Sequence, residues 1–278
     1  MTPVLDVFIR SYHRDRQWLA LALRSIALFA SGHRQVVVVV PRSSLERMEP
    51  SAIESTGVRL AMCRDYADDY LGQQITKLNA DRYTDADMIL HLDSDQVFTA
   101  PCELTARLFD RGRPRMAFDS GGARPETDGW RRCPTAFFGE PVRPDVTEPP
   151  PLVVPRHVYA GLRAHCRDAH GQSIGDYAHA AGFGRFCEFA LLRGFALTRE
   201  PERYTWVDTA RHGRLLPECR SFWSRARTPA SVVGGLPPEL TAAGPSPAGP
   251  SPAGPSPAGP YPVGPHPAGQ PPAVPPER

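Results

Sequence analysis

The sequence predicts an α/β fold built on a mostly parallel sheet, and three observations carry that prediction. Short β-branched runs alternate with stretches of helical spacing. Residues 36–40 are five consecutive valines, the composition of a strand buried on both faces, as parallel strands are. A third apolar run, Met88-Ile89-Leu90-His91-Leu92, stops at Asp93-Ser94-Asp95, which reads as a buried strand delivering charge to the edge of a sheet. Strands that alternate with helices specify a doubly wound, Rossmann-like domain.

Taken in order, residues 4–10 (VLDVFIR) are apolar and β-branched enough for a first strand. Residues 18–30 place Trp18, Leu19, Ala22, Leu23, Ile26 and Phe29 on one helical face. The valine run is the second strand, 45–55 a short helix, 58–63 the third strand, 73–83 a helix and 88–92 the fourth strand. Helix 103–110 and strand 115–119 follow. Residues 121–151, rich in Gly, Pro and charge, read as a long functional loop or lid. Helices are expected over 155–165 and 174–181, a short helix or turn over 188–194, and a late strand over 204–208. From Pro229 the composition changes. Residues 244–268 are five tandem pentapeptides (GPSPA three times, then GPYPV and GPHPA), so 229–278 reads as a disordered Pro/Gly/Ala-rich tail with polyproline II character. A glycine period of five excludes collagen.

The composition excludes several function classes. A formal net charge of +2, with no basic tract, gives no argument for nucleic acid. The apolar stretch 18–30 contains Arg24 and is shorter than a membrane span, and the N-terminus lacks the pattern of a signal peptide, so the expectation is a cytoplasmic chain with no transmembrane segment. Six scattered cysteines without a C-x-x-C pair argue against zinc or redox chemistry and for buried thiols in a reducing compartment.

The chemistry concentrates at Asp93 and Asp95. Residues i and i+2 of an extended segment point to one side, so both carboxylates are able to face one small volume. Two like charges there repel unless a cation sits between them, most simply a divalent ion with oxygen ligands. The plain alternative is a pair of turn-capping aspartates. Lys77 is the only lysine of the chain and Asn79 the only asparagine, against a background rich in Arg, Ala, Gly and Pro. A lysine is a compact point charge suited to a phosphate. A solvated helix lysine is the plain alternative.

With these residues in view, the chain resembles the GT-A glycosyltransferases. Gly72-Gln73-Gln74-Ile75-Thr76-Lys77-Leu78 followed by Ile89-Leu90-His91-Leu92-Asp93-Ser94-Asp95 is similar to a group of bacterial glycosyltransferase-like proteins with a DxD motif. Ile9-Arg10-Ser11-Tyr12 with Asp15, and Glu188-Phe189, echo further segments of that group. The resemblance spans about residues 4–225. It implies a GT-A-like catalytic domain over 1–228, with a nucleotide-sugar-binding half (1–120) and an acceptor-side half (121–228). It implies a UDP- or GDP-linked sugar donor, Mn²⁺ or Mg²⁺, and a small-molecule, glycan or peptide acceptor. Asp93 and Asp95 are then metal ligands, with a later histidine as the third. His212 is the choice, because it follows a predicted strand, with His179 as runner-up. Ser11, Tyr12, Asp15, Gln74, Lys77, Asp93 and Ser94 are assigned to the nucleotide sugar. Glu188 is the candidate general base for the acceptor hydroxyl, its plain alternative being a helix-start carboxylate. In that group Ser stands where this chain has Cys187. Trp130, Phe137 and Phe138 are read as stacking residues for sugar or acceptor, or as core.

Two further readings compete. Asp93-Ser94-Asp95-Gln96-Val97 also fits the D-x-D-x-[TV] nucleophile motif of haloacid dehalogenase-type phosphatases, in which the first Asp attacks phosphorus. That mechanism needs a later basic residue, normally lysine, and a late acidic cluster for Mg²⁺, yet no lysine follows position 77 and no Asp-Asp pair follows Asp95. A non-catalytic scaffold acting through the Pro-rich tail is the other.

Overall fold

The computed structural model describes residues 3–48, 53, 57–121, 128–224 and 226–241. Its strands of three residues or more are β1 (Leu5–Arg10), β2 (Gln35–Pro41), β3 (Arg59–Cys63), β4 (Met88–Asp93), β5 (Gln96–Phe98), β6 (Arg113–Phe118), β7 (Leu152–Pro155), β8 (Thr205–Asp208) and β9 (Cys219–Ser221). Its longer helices are α1 (Arg16–Phe29), α2 (Asp69–Lys77), α3 (Asp128–Phe138), α4 (Arg156–His170), α5 (Ile174–Ala181) and α6 (Glu188–Arg199).

The central sheet has the order β7-β4-β1-β2-β3, parallel except for β7, which runs antiparallel beside β4. The fold is therefore α/β with a mostly parallel sheet between helices. Strand parity makes the two cores. Leu5, Val7, Ile9, Val36, Val38, Val40, Leu90 and Leu92 face one cluster with α1. Phe8, Val37, Val39 and Ile89 face the other, with residues of α2, α3, α4 and α6. The valine run alternates between the two clusters, which is why neither face of it is polar.

The chain fills one flank of β1 first, with β2 and β3, then crosses to place β4 on the other. The carboxyl ends of β1 and β4 thus form the topological switch point, where open α/β sheets take their ligands. In the register, Arg10 at the end of β1 stands beside Asp93 at the end of β4. The opposite end of β1 is pinned by buried Asp6, which accepts from Arg34 Nη2 at 2.7 Å, Gln35 Nε2 at 2.8 Å and the Thr84 hydroxyl.

Several expected boundaries move, each for a local reason. Helix α2 starts at Asp69 rather than Gln73, because the Asp68 side chain accepts from the amides of Tyr70 and Leu71 at 2.9 and 3.1 Å. It ends at Lys77, and Ala80–Arg82 is a separate 3-10 turn. The expected helix 45–55 is a helix over Arg42–Leu45 and a 3-10 turn over Glu46–Met48, its other residues except Ile53 lying outside the described ones. The helix expected over 103–110 shortens to Leu104–Leu108, capped by the Glu103 carboxylate. Helices α4 and α6 run on to His170 and Arg199.

Residues 121–151 are not one long loop. Helix α3 occupies Asp128–Phe138, with Cys133, Pro134, Phe137 and Phe138 buried at helical spacing; its internal Pro134 hides that stripe in the sequence. Residues 122–127 lie outside the described ones. Nor does the packed chain stop at Pro229. Short helices Pro229–Val232 and Pro238–Thr241 bring Val232, Leu236 and Leu240 against Trp18, Val97 and Phe222. The four-residue spacing of those apolar residues decides over the prolines around them. The repeats 244–268 lie outside the described residues. Among the described residues no helix is long and apolar enough to cross a membrane, and all six cysteines are free and buried.

Candidate functional site

The site is built at the switch point from β1, β4, the N-terminus of α6, the C-terminus of α2 and the segment after β9. Its centre is Lys77, in the last turn of α2, where a cation suits the helix dipole. Lys77 Nζ donates to Asp93 Oδ1 at 2.6 Å and to Glu188 Oε1 at 3.0 Å, and lies 4.6 Å from the centre of the Phe189 ring. The Lys77 and Glu188 side chains are 3% and 5% exposed, whereas Asp93 is 35% exposed. Burial alone pushes the ammonium down, but the two carboxylates outweigh it and hold Lys77 above the ordinary lysine range. The sequence reading gave Lys77 to a phosphate and Glu188 to an acceptor proton. The structure pairs the two side chains with each other, where neither is open to water.

The two aspartates of the motif are divided. Asp93 leans on Lys77. Asp95 Oδ2 accepts from the Ser224 amide at 2.9 Å and has no lysine or arginine ion partner among the described residues. Burial, then the charge of Asp93 and more weakly that of Asp15, push Asp95 up to about 6, against the pull of Ser224. Ser94 Oγ donates to Asp15 Oδ2 at 3.3 Å, bringing the segment after β1 alongside. Gln96 fixes the turn between the aspartates. Its Oε1 accepts from the Asp93 amide at 3.0 Å and its Nε2 donates to the Pro150 carbonyl and the Ser221 hydroxyl at 2.5 and 2.9 Å.

Other predicted residues divide in the same way. Ser11 follows β1 directly, buried, with its amide on the Val39 carbonyl and no partner for its hydroxyl among the described residues. Tyr12 is half-buried, its ring edge-on to His13 at 5.8 Å. Gln74, one turn before Lys77, donates to the Phe186 carbonyl at 3.3 Å and leaves its buried Oε1 without a partner. His91 is buried against Tyr159 at 2.5 Å, and burial holds it neutral. Phe138 is a core residue packed on Gly194, where an added Cβ would meet its ring at 2.8 Å. Trp130 is half-buried against the same core. Both sit on helix α3, whose buried face packs into that core. His212 ends the short helix Thr209–His212, exposed, after β8, which pairs with β6 in a different sheet.

Among the described residues no three His, Cys, Asp or Glu side chains come together to hold a metal, so Asp93, Asp95 and His212 are not assembled as a trio. The donor set at the motif still fits a hard cation. Two carboxylates, one of them raised by burial and then by the charge of its neighbour, are donors of the kind that suit Mg²⁺.

No known family model matches this sequence, and no curated protein is similar to it.

Reasoning from sequence missed Gln96, Ser224 and Arg193. Gln96 carried a signal, a polar residue opening an apolar run directly after the motif. Arg193 is fully buried in α6 and donates to the carbonyls of Val146 and Pro149 at 3.4 and 3.1 Å and to that of Glu148, fixing the approach to β7. Burial pushes it down to about 10.

Proposed function

We propose that this chain is a metal-dependent glycosyltransferase that moves a sugar from a UDP- or GDP-linked donor to an acceptor hydroxyl or other nucleophile of a small molecule, glycan or peptide. The observation that carries this reading is the position of Asp93 and Asp95. They stand at the switch point of the parallel sheet, with Asp95 crowded by like charge and without an ion-pair partner among the described residues. Asp93 and Asp95 would hold Mn²⁺ or Mg²⁺, and the ion would supply Lewis-acid chemistry at the charge of a nucleoside diphosphate.

The protein's own groups have distinct tasks in this reading. Lys77 holds one oxygen of Asp93 and so sets its orientation. Glu188 is the buried counter-charge of Lys77 and acts through it as a positioning residue. Gln96 and Ser224 fix the turn and Asp95. Ser11, Tyr12 and Asp15, on the segment after β1, flank the nucleotide.

A thermal-shift screen of nucleotide sugars with and without Mn²⁺ tests the reading. A ligand at 100 times its Kd stabilises by about 2.7 kcal/mol, and Asp95→Ala should abolish the metal-dependent part. No metal-dependent shift with any nucleotide refutes it. One observation favours a second reading. The Lys77–Asp93 contact gives the motif a basic partner, although it comes from before the motif and not after it as a haloacid dehalogenase-type phosphatase has it. Release of phosphate from an aryl phosphate, lost in Asp93→Asn, would decide for that enzyme.

A further inference from the structure

Trp223 is the most exposed large apolar side chain among the described residues, 72% open to solvent. Its backbone is nonetheless fixed on every side. The Phe222 amide donates to the Asp95 carbonyl and the Ser224 amide to the Asp95 carboxylate, each at 2.9 Å. The Trp223 carbonyl accepts from the amides of Ala226 and Arg227 at 2.9 and 3.0 Å. Phe222 stacks on Trp18 at 5.5 Å with 21° between the rings, and Trp18 Nε1 donates to the Arg227 carbonyl at 3.3 Å. The indole is thus uncovered and stands one residue from each of the two groups that bind Asp95. Leaving an indole in water forgoes the largest burial term a side chain offers.

Resting on the nucleotide reading above, we infer that Trp223 is the stacking platform for the nucleobase of a nucleoside diphosphate anchored at Asp93 and Asp95. The ligand class follows from two features. The acidic turn takes a cation and, through it, phosphate, and the ring nearest a nucleotide's phosphates that offers a planar π-face is the base. The other aromatics proposed from sequence are committed elsewhere, with Tyr12 edge-on to His13, Phe138 in the core and Trp130 half-buried. Every base has a π-face, so an indole platform takes UDP and GDP alike.

The test is titration of the full chain with UDP and with GDP in the presence of Mn²⁺, followed by calorimetry and by tryptophan fluorescence. Wild type, Trp223→Ala and Trp223→Phe are compared, with circular dichroism to verify folding. Stacking predicts quenching of wild type, its loss in both variants, a roughly tenfold weaker Kd for Trp223→Ala and a smaller loss for Trp223→Phe. Unchanged nucleotide affinity in Trp223→Ala overturns the platform while leaving the nucleotide reading standing. No binding of either nucleotide to wild type overturns both. Quenching by a UDP-sugar but not by UDP overturns the nucleobase in favour of the sugar ring.

Discussion

Replacing Lys77 with methionine removes the one cation shared by Asp93 and Glu188 while keeping the length of the side chain. The cost has two unequal parts. Glu188 is 5% exposed, so it is left as an uncompensated buried charge, and breaking such a pair costs about 3 kcal/mol at the low end of measured cases. Asp93 is 35% exposed and water screens it, so its share is a surface-like 1 kcal/mol at most, roughly. The sum, about 3–4 kcal/mol, is a large fraction of the ~5–15 kcal/mol stability of a domain. Urea unfolding followed by circular dichroism measures it, and the melting temperature should fall by about 6–16 °C at ~2–4 °C per kcal/mol. The pH dependence has a definite sign. The folded-state pKa of Lys77 is raised, so its stabilisation is complete below the unfolded lysine value and disappears only as pH rises through the folded one. The titration of Lys77 itself should therefore add no slope to the gap between wild type and variant from about pH 6 to 9. Adding Glu188→Leu to Lys77→Met removes the stranded charge and should recover at least half the loss. A loss under about 1 kcal/mol, or a double variant no better than the single, would refute the buried-triad account.

Asp95 is raised in the folded state, so it opposes folding increasingly as pH climbs from its unfolded value, near 4, to about 6. Asp95→Asn should therefore stabilise the metal-free protein by about 1–2 kcal/mol above pH 6, with no gain at pH 4, while losing Mn²⁺ binding; destabilisation at neutral pH in urea melts would contradict this. Asp6 is buried and held below the usual carboxylate range, burial pushing it up but Arg34, Thr84 and Gln35 prevailing. Its stabilisation is present above the unfolded value and is lost as pH falls through the folded one. Asp6→Asn should cost about 2 kcal/mol at pH 7, discounted for the half-exposed Arg34, and much less at pH 3. Equal losses at both pH values would show that the charge is not the cause.

The sheet was legible because its signal is local. Five valines in a row, and an apolar run ending in two aspartates, state strand and edge without long-range information. Helix α3 was not, since Pro134 breaks the pattern that Cys133, Phe137 and Phe138 continue. The residues of the site were named from sequence but not their partnerships. Lys77, Asp93 and Glu188 are separated by as many as 111 positions, and only tertiary packing brings the lysine to both carboxylates. Phe138 shows the converse, an aromatic beside a proline-rich stretch that the hidden helix turns into core.

The bonds from the segment after β9 to the acidic turn also order events in time. Asp95 and Ser224 are 129 residues apart, and Gln96 and Ser221 are 125. During synthesis the central sheet is complete once β7 has emerged, yet β5 still lacks its antiparallel partner β9 and Asp95 its backbone donor. A ribosome-bound chain halted before Cys219 would hold every strand of the central sheet, but the acidic turn would lack both β9 and the Ser224 amide.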